Sequence, residues 1–418
     1  MLSEEFQERL AERLIDRIED LNLTILAEIG RQIKYIGTLT PTQAHKISQM
    51  ILYGENMNKI ARALARITNL SVLDIYEIFK ETAIENQEFA RQFYVAKKVK
   101  FVPYSQNKAL QKQVNAIAKV TANTYRNIMN STAYVLDDKL VPIGKIYQEV
   151  LDKAILSVSQ GKETYQETMR KSMKQLTESG MRIRVDKEGN PTGTRVVDFK
   201  SGRSVRADTQ IRMNLLDGMR TLSNELQSQF GEEYGADGVE ISVHAHPAPD
   251  HEDIQGLQYS KEEFEKLNKE LDRPISTMNC YHYIFSIVMG VSKPQYTKEQ
   301  LEKIKEDNKK GFELDGKHYT LYEGTQLQRR IETRVRQLKD RQIMAREMGD
   351  MEVVGNCQRN ITQLTHKYND LCNTSGLKQK KERMTVQRIQ KGKSIIMKGV
   401  ITWNKLNLRN LKKYRCQW

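Results

Sequence analysis

The tightest constraint on the fold is a stretch that begins as a strand and is forced into a loop, residues 240–256. Glu240, Ser242, His244 and His246 alternate with smaller or apolar neighbours. On a strand they project to one side, because strand side chains repeat every second residue. The loop 247–253 follows, where Pro247, Pro249 and Asp250-His251 turn the backbone away. Three of the seven histidines fall within eight residues here, and His282 lies close to Cys280, one of only four cysteines. Elsewhere packing sets the residue choice; here chemistry does.

Helical periodicity surrounds this stretch. Leu10, Leu14, Ile18 and the run from Leu21 to Ile25 mark one apolar face. Thr40-Pro41 reads as an N-cap with proline in the first turn. Further helices are predicted at 56–68, 71–85 and 105–130, the second opened by a Ser71/Asp74 capping box. Helix recurs in the block 144–180, with a new start near Thr164. Two short strands, 182–185 and 195–199, flank a turn, and helix resumes from about 205 to 230 until Gly231, Gly235 and Gly238 end it. Ser260 and Thr297 each cap a helix, and 279–287 reads as extended. Asp315-Gly316 supplies the turn of a hairpin over 312–319. Helices at 322–348 and 352–372 form a helical hairpin. The predicted class is therefore α+β and predominantly helical. Its segments are a helical region (1–139), a central domain with a small β-sheet and the histidine loop (140–320), a C-terminal helical hairpin (321–386) and a basic tail (387–418).

Composition narrows the function classes. Charged residues make up 29% and hydrophobic ones 39% of 418, as in a folded, helix-rich protein. No run of 18 apolar residues is present, so a membrane span is not expected. The first residues lack the basic start and apolar core of a secretory signal. Cysteines at 280, 357, 372 and 416 form no disulfide framework, which points to synthesis and folding in a reducing compartment. The net charge is +14, but residues 378–418 carry thirteen Lys or Arg against one acid. That leaves only +2 on the first 377 residues, so the basic character is a C-terminal property.

Two chemistries fit the histidine stretch. His244, His246, His251, Cys280 and His282 offer the nitrogen and sulfur ligands that zinc or another divalent metal takes, although paired Cys-x-x-Cys spacing is absent. Alternatively, His251 or His244 acts as a general base oriented by Asp250 or Glu240, as in a metal-dependent hydrolase or nuclease. No nucleophile, phosphate-cradling glycine loop or oxyanion arrangement accompanies them. The plainer reading, which the sequence favours, is a polar network that staples an irregular loop onto a small sheet.

An ordered series of residues resembles a known family. Ser242-x-His244, Pro249-Asp250-His251 with Gln255-Gly256, and Asn279-Cys280-x-His282 followed by Tyr296-Thr297 are similar to the tailed-phage minor capsid protein 2 family, related to Mu F-like head morphogenesis proteins. The similarity also takes in Tyr147 to Gly180, Val197-Asp198-Phe199-x-Ser201-Gly202-Arg203, Arg212, and Gln328-Arg329-x-Ile331-Glu332-x-x-Val335-Arg336, spanning roughly residues 140–386. The resemblance implies a structural virion component, made in the host cytoplasm and placed in the phage head, and does not establish an enzyme. Such a protein works at the portal and capsid interior, with portal protein, capsid or scaffolding proteins and genomic double-stranded DNA as partners. This chain has Ala248 and Tyr281 where the family pattern carries arginines, so two cations are missing beside the loop. Beyond the resemblance, Lys391, Lys393, Lys398, Lys405, Arg409, Lys412, Lys413 and Arg415 interleave with Trp403, Tyr414 and Trp418. Cations that neutralise phosphates, with aromatics that stack on unpaired bases, form a candidate DNA-binding tail.

Overall fold

The structure, a computed structural model, describes residues 4–37, 53–143, 164–185, 203–272, 274–277 and 280–384, with the pairs 145–146, 149–150 and 152–153. The basic residues 391–415, Thr40-Pro41 and the strand expected at 195–199 lie outside the described residues.

Helix α1 (Glu4–Gly37) buries the face expected of it, with Leu10, Leu14, Ile18, Leu21 and Ile25 almost fully enclosed. Helix α2 (Tyr53–Lys97) is continuous where two helices were expected. Ser71 does not cap; it sits in the helix interior, fully buried beside the Tyr125 hydroxyl, while Asp74 pairs with Arg17 of α1. Tertiary partners take both side chains of the supposed capping box, so the local signal loses its meaning. Helix α3 (Lys108–Asn130) is capped by Asn107, whose side chain accepts from the Leu110 N–H at 3.0 Å.

A four-stranded sheet follows, in the order β2-β1-β3-β4. Strands β1 (Ala133–Leu136) and β2 (Lys139–Pro142) form a hairpin that the sequence reading did not anticipate. Its turn residues Asp137 and Asp138 have φ of 47° and 58°, as a tight two-residue turn requires. Helix α4 (Tyr165–Ser179) starts at Thr164, in a capping box with Glu167. Strand β3 (Arg182–Val185) then pairs antiparallel with β4 (Arg203–Arg206), where helix was expected to have begun. Helix α5 runs Ala207–Tyr234 and ends at Gly235 in the left-handed region, φ 73°. Gly231 lies inside it.

The second sheet, β6-β5-β7, carries the histidine stretch. Its strands are β5 (Gly238–Ile241), β6 (Gln258–Ser260) and β7 (Ile284–Ile287), with β5 central and antiparallel to both neighbours. The strand is shorter than its alternation implied: regular pairing stops at Ile241, so His244 and His246 stand on the loop. Helix α6 (Lys261–Glu270) and helix α7 (Lys298–Lys310) open in capping boxes, Ser260 with Glu263 and Thr297 with Gln300. The hairpin β8 (Phe312–Leu314) and β9 (Lys317–Tyr319) turns at Asp315 and Gly316, both at positive φ.

Helices α8 (Leu321–Met348) and α9 (Met351–Ser375) form the expected hairpin. Gln328 Nε2 donates to the Tyr368 hydroxyl at 3.1 Å, and that hydroxyl donates to Glu332 at 3.1 Å. Helix α8 packs on α1 and on α9, and α5 packs on α1, α2 and α3, so α1 and the C-terminal hairpin share one body. Inside it lies a polar cluster. Arg206 pairs with Asp208 at 3.1 Å, and Arg336 with Glu19 at 2.9 Å. Asn22 Nδ2 donates to Asp340 at 3.0 Å, and Tyr134 donates to Asn22 at 2.6 Å. Residues 1–379 form one compact unit and residues 380–418 a second. No helix among the described residues is long and apolar enough to cross a membrane.

Candidate functional site

The site is built where β5 stops being a strand. Past Ile241, the Ser242 N–H still donates to the Tyr283 carbonyl at 2.9 Å, and the Tyr283 N–H donates to Ser242 Oγ at 2.8 Å. The chain then leaves the sheet, makes a single 3-10 turn at Pro249–His251, and returns through Gln255 and Gly256. The Gly256 N–H donates to the Ile241 carbonyl at 2.9 Å, closing the loop. Gly256 has φ 72°, and a Cβ there would meet Leu301 Cδ2 at 2.6 Å and Val243 Cγ2 at 2.8 Å. Only glycine fits that closure.

Cys280 and His282 approach from the segment leading into β7. Two residues apart on extended chain, they face the same way. His251, Cys280 and His282 are all buried, and their ligand atoms lie within 4.8 Å of one another. Cys280 Sγ is 3.3 Å from His282 Nδ1 and 3.7 Å from His251 Nδ1. Gln255 Oε1 accepts from the His244 backbone N–H at 2.8 Å and stands 3.1 Å from His282 Nε2. A backbone N–H can only donate, so that amide atom is oxygen and His282 carries its proton on Nε2. The His282 lone pair is therefore on Nδ1, facing the sulfur. Asp250 Oδ2 lies 3.7 Å from His251 Nε2. Burial pushes the Cys280 thiol up, but contact with His251 and the backbone of His282 and Ser276 outweighs it and holds the thiol below its ordinary range.

Comparison with protein families decides the identity. The chain matches the family model of phage minor capsid protein 2 over residues 2–373. The chain belongs to the phage minor capsid protein 2 family. The match begins before Glu4, where α1 starts, and ends in α9, so it takes in the N-terminal helices as well as the histidine loop. Searches of curated proteins and of solved structures return no match.

In this minor capsid protein the other candidates lie outside the triad of ligand atoms. The His244 ring stands edge-on to His282, centroids 4.3 Å apart, and lines the cluster from outside the ligand group. His246 lies farther along the loop, half-buried. Glu240 orients no histidine: its carboxylate accepts from Gln258 Nε2 at 2.8 Å and the Gln295 N–H at 3.1 Å, and burial raises its pKa against those bonds. As a general base, His251 is poorly placed, since it is 3% exposed and its Nδ1 faces Cys280. Tyr281, in place of a family arginine, sets its ring 5.7 Å from the His244 ring, and its carbonyl accepts from Gln7 of α1 at 3.4 Å. Ala248, the other replacement, accepts the His251 N–H at 2.9 Å through its carbonyl, which any residue supplies. Gln255 is the residue whose role sequence reasoning missed. The signal was its place in the motif, but only the fold brings its amide between His244 and His282.

Proposed function

We propose that this protein is the minor head component seated at the portal on the capsid interior, where it assists head assembly and the handling or delivery of genomic DNA. The observation that carries this reading is the family match from residue 2 to residue 373, which makes the chain a structural part of a phage virion. Two features support the finer placement. Ion pairs such as Arg212–Glu12, Arg336–Glu19 and Arg170–Asp350 tie distant helices into one body, the construction of a scaffold rather than of an opening cleft. The cations gathered between 378 and 418 suit a partner rich in phosphate.

The reading is tested by co-expression with the portal protein of the same phage. Retention of this chain on immobilised portal, through washes that remove the major capsid protein, is the expected result; elution of all of it in those washes would overturn the placement. The tail has its own assay. Full-length protein is expected to bind duplex DNA without sequence preference, with affinity falling steeply as salt rises, whereas a chain lacking 387–418 loses that binding. Unchanged affinity in the shortened chain assigns DNA contact elsewhere.

A further inference from the structure

We propose that His251 Nδ1, Cys280 Sγ and His282 Nδ1 bind one zinc-class divalent cation, with water in the fourth position, and that this ion fastens the loop 247–256 to the segment entering β7. The inference stands apart from the portal reading and can fail without it.

The two sulfur–nitrogen edges fit such an ion, and all three ligand atoms lie within 4.8 Å of one another. Zinc bonds of about 2.3 Å to sulfur and about 2.0–2.1 Å to nitrogen, at tetrahedral angles, separate sulfur from nitrogen by about 3.6 Å. The two sulfur–nitrogen distances here are 3.3 and 3.7 Å, bracketing that edge length.

Supporting groups complete the argument. Metal-binding histidines characteristically donate their second N–H to an oxygen that fixes the tautomer. His282 has that partner in Gln255 Oε1, itself held by the His244 N–H, and His251 has Asp250 on its far nitrogen. Cys280 also belongs to an apolar cluster with Val239, Ile241, Phe264 and Ile275, which limits water and strengthens ligand bonds. Donor softness sets the choice of ion: one sulfur and two imidazoles favour zinc over magnesium or calcium.

The test uses full-length protein stripped with chelator and titrated with Co²⁺, then Zn²⁺. One equivalent of cobalt is expected to bind with a thiolate-to-cobalt charge-transfer band, which zinc bleaches, and zinc is expected to raise the melting temperature. Cys280→Ser abolishes the band, while a Cys357→Ser/Cys372→Ser double variant keeps it. His251→Gln and His282→Gln each lower affinity about 100-fold or more, and Gln255→Leu lowers it about 10–100-fold through the tautomer alone. Stripped wild-type protein that stays folded yet takes up no cobalt overturns the proposal, whatever the variants do. So does a band that survives in Cys280→Ser.

Discussion

Two buried polar clusters, one in the helical body and one beside the small sheet, are completed in different ways. In the helical body Arg206 and Arg336 meet carboxylates. Arg206 faces Asp208, Arg336 faces Glu19 and Asp208, and Asp340 takes the amide of Asn22. At the sheet, the ligand atoms of His251, Cys280 and His282 converge within 4.8 Å of one another. The first cluster closes upon itself. The second has the form of a site completed from outside, and the contrast separates a polar group that holds helices together from one that takes a ligand.

The largest effect should come from breaking the closed cluster. Arg206→Met strips Asp208 of its nearest partner, and removing one side of a buried pair costs about 3–5 kcal/mol, read as a lower denaturant midpoint. A loss below about 1 kcal/mol would mean that Asp208 does not depend on Arg206 for its charge to be held in the interior.

Titration should distinguish the carboxylates. For Asp340, burial first of all pushes its pKa up to about 7 despite Arg206, whereas burial of Asp208 is outweighed by Arg206 and Arg336, which hold it down at about 2. The signs are opposite. A raised acid stabilises fully below its unfolded pKa near 4, and its contribution is lost as pH climbs to about 7, by roughly 4 kcal/mol at most. A depressed acid stabilises above about pH 4 and is lost as pH falls toward 2. Asp340→Asn, which mimics the protonated form, should therefore stabilise by about 1–2 kcal/mol at pH 5 and by about 4 kcal/mol at pH 8. Chemical denaturation at both pH values checks it; equal effects at the two would contradict the assignment.

Smaller effects sharpen the other half of the contrast. Gly256→Ala forces a Cβ into a left-handed position against Leu301 and Val243 and should cost about 1–3 kcal/mol, leaving the pH response of the helical body unchanged. Thermal melts at pH 5 and pH 8 read both quantities. Smallest of all, Arg13→Ala breaks an exposed pair with Glu81 and should cost no more than about 1 kcal/mol. A larger loss there would show that ion pairs stabilise this body irrespective of burial.

The sequence made local features legible and non-local ones not. The buried face of α1 follows from the spacing of Leu10, Leu14 and Ile18, and the 312–319 hairpin from Asp315-Gly316. Ser260 and Thr297 cap as their neighbours dictate. Ser71 carried the same kind of signal and misled, because Tyr125 lies beside it from another helix. Strand β4 was invisible as the partner of β3, since short strands gain their stability from a neighbour far along the chain. The candidate site follows the same rule. Residue types and two-residue spacing drew attention to His251, Cys280 and His282 among five candidates. Their separation from His246 depends on where β5 ends, and the tautomer of His282 on Gln255, twenty-seven positions away.

The account's central claim, a head protein working at the portal, is most directly tested in the particle itself. Purified virions would be dissociated into tails, portal-containing vertices and capsid shell, and this chain quantified by mass spectrometry in each fraction. The account predicts a low copy number that follows the portal fraction. Recovery with the tails, or in amounts matching the major capsid protein across the shell, would contradict it.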